Sequence, residues 1–359
     1  MDWKKVGFLT FGILIIILLI WWAGVEDVIG VLKKARLDYF ILAVLVYIAG
    51  VVLWALRWGV LLKSLNINAS FRTILGAIFV GVFVNNVTPG ARGGGEPMRM
   101  YYLSKRSNET YGPVFATIMA DRILDLIPVI VMLFLSTVYV YRLGSTTLMI
   151  TLLVLNAILA ALIVITLVIL LNERRTKRIL YWFFGLVSRL MPKKAKKYEE
   201  KFIHNIEVNV PKFQKGFKLL LKDKKAFLLA LAYSFAFWFL TLLRSYFIFL
   251  SIKYPVGLEE IMVVQMIGVV AGLISIIPGG AGFIEAINSG VYVLLGIDKN
   301  FAVTATLIDR LISYWIPTVL GGFLTTHFGV KLREDKKKKG LTEEGRIDNH
   351  EVWDSGQER

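Results

Sequence analysis

Apolar runs of about 17 to 25 residues recur along the chain, parted by short polar links. They are Val6–Trp22, Tyr39–Leu62, Ile74–Val87, Ile123–Tyr141, Leu148–Leu171, Ala226–Leu250, Ile261–Ile277 and Thr304–Thr326. A run near 20 apolar residues matches a hydrocarbon core of about 30 Å at about 1.5 Å per helical residue. The pattern therefore predicts an all-α integral membrane protein with about eight transmembrane helices. Ile74–Val87 is short for a span. The first run follows only Lys4 and Lys5 and lacks a clear small-residue cleavage site, so it reads as a retained helix rather than a signal peptide.

The polar positions inside this pattern occur twice. Thr88-Pro89-Gly90 interrupts one apolar run and Pro278-Gly279-Gly280 another, and a glutamate sits seven residues after each proline, at Glu96 and Glu285. An Asp-Arg doublet follows in the next run, Asp121-Arg122 and Asp309-Arg310. One arginine precedes each set within a Trp-bearing apolar run, Arg57 and Arg244. The offsets are 187 for the arginines, 189 for the prolines and glutamates, and 188 for the doublets. Residues 39–143 and 226–326 thus read as two internal repeats, each with a short re-entrant segment after its Pro-Gly break. Matched Gly/Pro interruptions of this kind point to a transporter's binding site.

Composition agrees with a membrane chain: 359 residues, 56% hydrophobic and 13% aromatic, with a mean hydropathy of +0.64. The net charge of +16 lies outside the spans. Most of it falls in residues 172–225, where Arg174-Arg175, Lys193-Lys194 and Lys196-Lys197 interleave with Tyr181-Trp182-Phe183-Phe184. This predicts an interfacial helix pair on anionic headgroups, with no nucleic-acid partner. Residues 1–330 form the membrane domain, and the basic, polar stretch 331–359 is expected to be disordered. Zero cysteine excludes disulfides and thiolate chemistry. The three histidines lack metal-ligand spacing and Gly93-Gly94-Gly95 follows no strand, so neither metal nor nucleotide cofactor is expected. Orientation does not resolve. With eight spans, placing both Lys33–Arg36 and residues 172–225 in the cytoplasm sends the Lys-rich tail outside, and placing the tail inside sends the larger basic loop out, unless Phe283–Ile297 crosses the bilayer and changes the parity.

A Pro-Gly break at membrane depth must be buried in protein or line a wet cavity, because lipid satisfies no backbone group. Pro89-Gly90 and Pro278-Gly279-Gly280 each end a helix, and the short helix that follows points its N-terminus inward, a natural anion cradle. Arg92 and Arg99 flank the first cradle. A charge at a span centre costs on the order of 2.5–3.5 kcal/mol on insertion scales, so Asp121, Arg122 and Asp125 must pair or face water. Adjacent helical residues point about 100° apart, so the two members of each doublet should pair with different helices. Arg57 and Arg244 are candidate partners for Asp125, Glu96 or Glu285, with Glu285 the first choice for Arg244. Arg57, beside Trp54 and Trp58, could instead snorkel. Glu96 and Glu285 are the leading functional carboxylates.

The pattern Asn85-Asn86-x-Thr88-Pro89-Gly90-x-x-Gly93-Gly94-x-Glu96-Pro97-x-Arg99, then Asp121-Arg122, then Pro278-Gly279-Gly280-x-Gly282-x-x-Glu285, resembles a known domain. It is the flippase-like membrane domain of lysylphosphatidylglycerol synthases, the multiple peptide resistance factors, which also forms the membrane half of some archaeal glycosyltransferases. The resemblance implies a helical domain with re-entrant elements, set in a prokaryotic cell membrane, that moves a polar-headed lipid between leaflets. It marks Arg92, Glu96, Arg99, Asp121, Arg122, Glu285, Asp309 and Arg310 as cavity-lining candidates; Asp125 and Arg244 join them from the charge pattern. The soluble synthase and glycosyltransferase domains have no counterpart in the sequence, so lysyl transfer is not implied. The expected activity is translocation of a phospholipid or polyprenyl-linked lipid. The alternatives are a scaffold for a separate lipid-modifying enzyme and, third, an intramembrane transferase.

Overall fold

The computed structural model describes residues 3–88, 94–190 and 192–329, and every regular element among them is helical. Its helices are α1 (Trp3–Ala23), α2 (Val25–Lys33), α3 (Leu37–Ser64), α4 (Phe71–Val87), α5 (Gly95–Ser107), α6 (Tyr111–Arg142) and α7 (Thr146–Leu170). They continue with α8 (Glu173–Leu190), α9 (Pro192–Lys222), α10 (Lys224–Ser251), α11 (Leu258–Ile274), α12 (Phe283–Leu294) and α13 (Lys299–Gly329). Five of these are long and apolar enough to cross a membrane: α3, α6, α7, α10 and α13. The end of α1 and α2, bent by 84°, would make a sixth as one broken span.

The apolar runs exceed the candidate spans because two of the expected spans are halves of hairpins. Each of α4 and α11 has 17 residues, about 25 Å of helix, and a shorter helix returns along it. On α4 and α5, Gly76 faces Tyr102, Gly81 faces Arg99 and Asn85 faces Gly95, the register of an antiparallel hairpin. On α11 and α12, Gly268 faces Asn288. Arg99 and Asn288 stand three residues after Glu96 and Glu285, so the same close approach recurs. The tip of the second hairpin is a tight turn at Pro278–Gly280, with Gly279 at φ +59° and Gly282 at +79°, values that favour glycine. Pro89, Gly90 and Arg92, expected at the first tip, fall outside the described residues.

Helices α3 to α6 match α10 to α13 in order and length: 28 and 28, 17 and 17, 13 and 12, 32 and 31 residues. Their turns match too. Left-handed residues follow α3 at Asn66 and α10 at Lys253, then α5 at Asn108 and α12 at Gly296. Each closes its helix with a return bond from the next N–H: Ile67 to Leu62, Tyr254 to Phe249, Glu109 to Ser104 and Ile297 to Tyr292. Helices α3 and α10 pack antiparallel, with Gly50 against Phe237 and Tyr39 stacked on Phe247.

The ends of the helices define two faces. On one, Ser64 bonds Asp223, the cap of α10, and the Gly112 N–H at the start of α6 donates to Asn209 of α9. Phe328, near the end of α13, packs on Tyr102 of α5 on that same face. On the other, the Arg36 N–H donates to the Ser251 carbonyl, Tyr139 bonds Glu260, and Lys299 donates to the Trp22 carbonyl. Helix α8 lies against α9 through the Phe184–Phe202 stack and a Lys177–Glu207 ion pair of 2.5 Å. Between the faces, large apolar side chains such as Leu45, Leu153, Val164 and Phe323 are exposed, as a lipid-facing belt requires.

Candidate functional site

The charged residues picked out by their spacing converge between the two helix sets. In the first set, the Arg57 Nε donates to Asp121 Oδ1 at 2.7 Å and the Arg122 Nε to Glu96 Oε1 at 2.8 Å. In the second, the Arg244 Nε donates to Asp309 Oδ1 at 2.9 Å and the Arg310 Nε to Glu285 Oε1 at 2.9 Å. Each doublet splits between two helices, as the angle between neighbours predicted. Asp121 meets Arg57 on α3, with a longer bond from Arg99 on α5, and Arg122 reaches Glu96 on α5; Asp309 reaches α10 and Arg310 reaches α12.

The Arg244 pairing differs from the expected one, while Arg57 does meet Asp125, one of its expected partners. Arg244 meets Asp309, not Glu285 or Asp125, because Asp309 approaches from α13 in register with the Arg244 Nε and Nη2 while Glu285 is taken by Arg310. Arg57 does not snorkel. It is 1% exposed and also reaches Asp125 at 2.7 Å and the Ser234 hydroxyl at 2.9 Å. Its reach across to α10 has a counterpart in Arg244, which stands 5.8 Å from the Tyr47 ring of α3.

Between the sets lies a cavity of about 250 Å³. Arg57, Arg122, Asp125, Arg244, Asp309 and Arg310 line it, with Tyr47, Trp54, Trp238 and Tyr314 as aromatic walls and Asn86 and Gln265 as neutral polar ones. Glu96, Arg99, Asp121 and Glu285 stand behind this wall rather than on it. Arg99, expected beside an open anion cradle, is 1% exposed; it stacks 4.2 Å from the Trp58 ring centroid and bonds Asp121 at 3.2 Å. The two doublet-glutamate pairs differ in wetness. Side-chain exposure is 33% for Arg122 and 13% for Glu96, against 7% and 1% for Arg310 and Glu285. Among the described residues, no three His, Asp or Glu side chains converge as metal ligands.

The sequence marked Arg57 as an ion-pair partner but not as a cavity-lining residue, and it did not mark the aromatic walls. For Arg57 the signal was present in its offset of 187 from Arg244. For Trp54 and Trp238 none was, since a tryptophan in an apolar run is ordinarily lipid-facing or packed.

These features define a multi-pass helical membrane protein with a polar, ion-paired centre. Residues 9–321 match the model of the lysylphosphatidylglycerol synthase TM region, and the chain belongs to that family. It is similar to a UPF0104 membrane protein of Pyrococcus horikoshii, 37% identical over 322 residues, covering 89% of this chain and 96% of that one. A UPF0104 membrane protein of Methanocaldococcus jannaschii is 30% identical over 349 residues, covering 94% and 98%. Another, of Methanothermobacter thermautotrophicus, is 28% identical over 336 residues, covering 93% and 98%. None of these names carries a catalytic activity.

Proposed function

We propose that the chain translocates a polar-headed lipid, a phospholipid or a polyprenyl-linked lipid, across the cell membrane through the central cavity. The observation that carries this is the duplicated ion-pair pattern around a polar cavity enclosed by two oppositely directed hairpins. The family supports a lipid-related membrane role. Helices α3–α6 and α10–α13 are read as inverted repeats: α3 and α10 run in opposite directions, and Gly50 touches Phe237, its own counterpart at the offset of 187. Contact between equivalent residues is what a pseudo-two-fold axis between repeats produces. On this reading the α4–α5 and α11–α12 hairpins re-enter from opposite faces.

Arginines on the cavity wall suit a phosphate, and aromatic neighbours suit the alkyl chain beside it. The wetter Glu96–Arg122 pair is the one a headgroup reaches first. Reconstituted in liposomes with a fluorescent lipid, the wild type should exchange lipid between leaflets and Glu96→Gln should lose that exchange. An inert wild type overturns the proposal.

The scaffold alternative is favoured by one feature, the exposed stripe Ile179, Trp182, Phe183 and Leu186 on α8. We assign that stripe instead to the anionic leaflet on which the basic α8–α9 pair lies. Copurification of a lipid-modifying enzyme that is lost on Trp182→Ser would favour the scaffold.

A further inference from the structure

Beside the main cavity, toward α12 and α13, lies a second cavity of about 10 Å³, room for about one water-sized ligand. Its polar lining is Ser245, Gln265, Asn288, Thr306 and Asp309, and the rest is apolar and aromatic. Asn288 Oδ1 and Thr306 Oγ1 are buried without a hydrogen-bond partner. Unpartnered buried oxygens at membrane depth are costly unless something meets them. No cationic side chain lines this cavity. Arg244 faces away into the main cavity with two bonds to the Asp309 carboxylate.

The matched half shows what such a place can hold. The counterpart of Asn288 is Arg99, and each faces a glycine of its hairpin partner, Gly268 and Gly81. In one half the protein supplies its own cation at this position; in the other it presents an amide oxygen, a hydroxyl and a small cavity beside the main one.

We propose that the cavity formed by Ser245, Gln265, Asn288, Thr306 and Asp309 binds one dehydrated monovalent cation of sodium size. The two unpartnered donors, Asn288 Oδ1 and Thr306 Oγ1, are hard oxygens, which suit an alkali cation, while Ser245 accepts from the Gln265 amide and donates to Asp309. The one carboxylate is already paired, so the site lacks the negative charge a divalent ion demands. The volume excludes a hydrated ion. Binding stands whether or not the protein moves lipid, so the two proposals fail separately.

The purified protein in detergent would be melted in NaCl, KCl and choline chloride at equal ionic strength, with binding of radioactive sodium measured in parallel. NaCl should raise Tm over choline chloride by about 3 °C or more, saturably, as a ligand of the folded state does. Thr306→Val should weaken sodium binding roughly tenfold, while Thr306→Ser, which keeps the hydroxyl, retains it. Equal melting in all three salts together with no sodium binding overturns the proposal and leaves a water site. The wild-type comparison decides should a variant fail to fold.

Discussion

A buried ion pair is better measured by what happens when half of it is removed than by its presence. Removing one partner strands the other charge in a low-dielectric site, a cost of about 3–5 kcal/mol, whereas removing both is often close to neutral. Arg244 and Asp309 are largely sealed, at 8% and 12% side-chain exposure. Arg244→Leu alone should therefore lower folded yield and Tm more than Arg244→Leu with Asp309→Asn. The same arginine variant with Glu285→Gln should show no such rescue, because Glu285 serves Arg310. Thermal melts of the four proteins decide it; rescue by Glu285→Gln and not by Asp309→Asn would contradict the pairing. Glu96 belongs to a different class. Its partner Arg122 is one-third exposed at the cavity, where water can solvate the stranded guanidinium. Glu96→Gln should therefore leave folding nearly intact. At this scale the sequence showed which charges matter but not which meet. Offsets mark equivalent residues, while pairing depends on how α13 sits between α10 and α12.

Helices were legible and their roles only partly. Hydropathy locates an apolar helix without showing whether it crosses the membrane or pairs into a hairpin, and α4 and α11 each have a shorter helix returning along them. The physical clue was length: at 17 residues each they are shorter than the 28-residue α3 and α10. The basic stretch 172–225 was legible as a helix pair because its charges and aromatics alternate, but its clamp was not. Glu207 accepts from Lys177 at 2.5 Å and from the Tyr181 hydroxyl at 2.7 Å, joining α9 to α8. The bond from Lys177, then that from Tyr181, holds the Glu207 carboxyl below its ordinary 4.5. A depressed carboxylate contributes stability that is present above its unfolded value and fades as pH falls through the lowered one. Protease cleavage within residues 172–222 should thus stay slow at pH 7 and quicken below about pH 4. Glu207→Gln should already show the faster cleavage at pH 7. A cleavage rate unchanged by that substitution would mean the clamp does not hold the pair together.

The whole molecule sorts the charged segments onto two faces, which a count of eight spans could not. With α4–α5 and α11–α12 folding back, the segment 172–225 and the end of α13 come to one face, while Lys33, Lys34 and Arg36 come to the other. The first face carries 16 basic against 5 acidic residues in 172–225 alone. The opposite face balances Lys33, Lys34, Arg36, Arg142, Lys253 and Lys299 against Glu26, Asp27, Asp38, Glu259, Glu260 and Asp298. Counting each hairpin as one crossing puts the segment that follows it on the opposite side, and that count is the source of the conflict. A basic excess on one face only is what the positive-inside rule requires, so the α8–α9 face should be cytoplasmic. The cysteine-free chain allows a direct check with a membrane-impermeant thiol reagent on intact cells. Lys34→Cys and Lys253→Cys, exposed on the balanced face, should label without permeabilisation. Lys105→Cys and Lys218→Cys, exposed on the basic face, should label only after it. Reversal of both pairs would place the basic face outside. Labelling of Lys105→Cys together with Lys253→Cys in intact cells would break the two-face arrangement itself, since those residues stand at the closing ends of α5 and α10 on opposite sides.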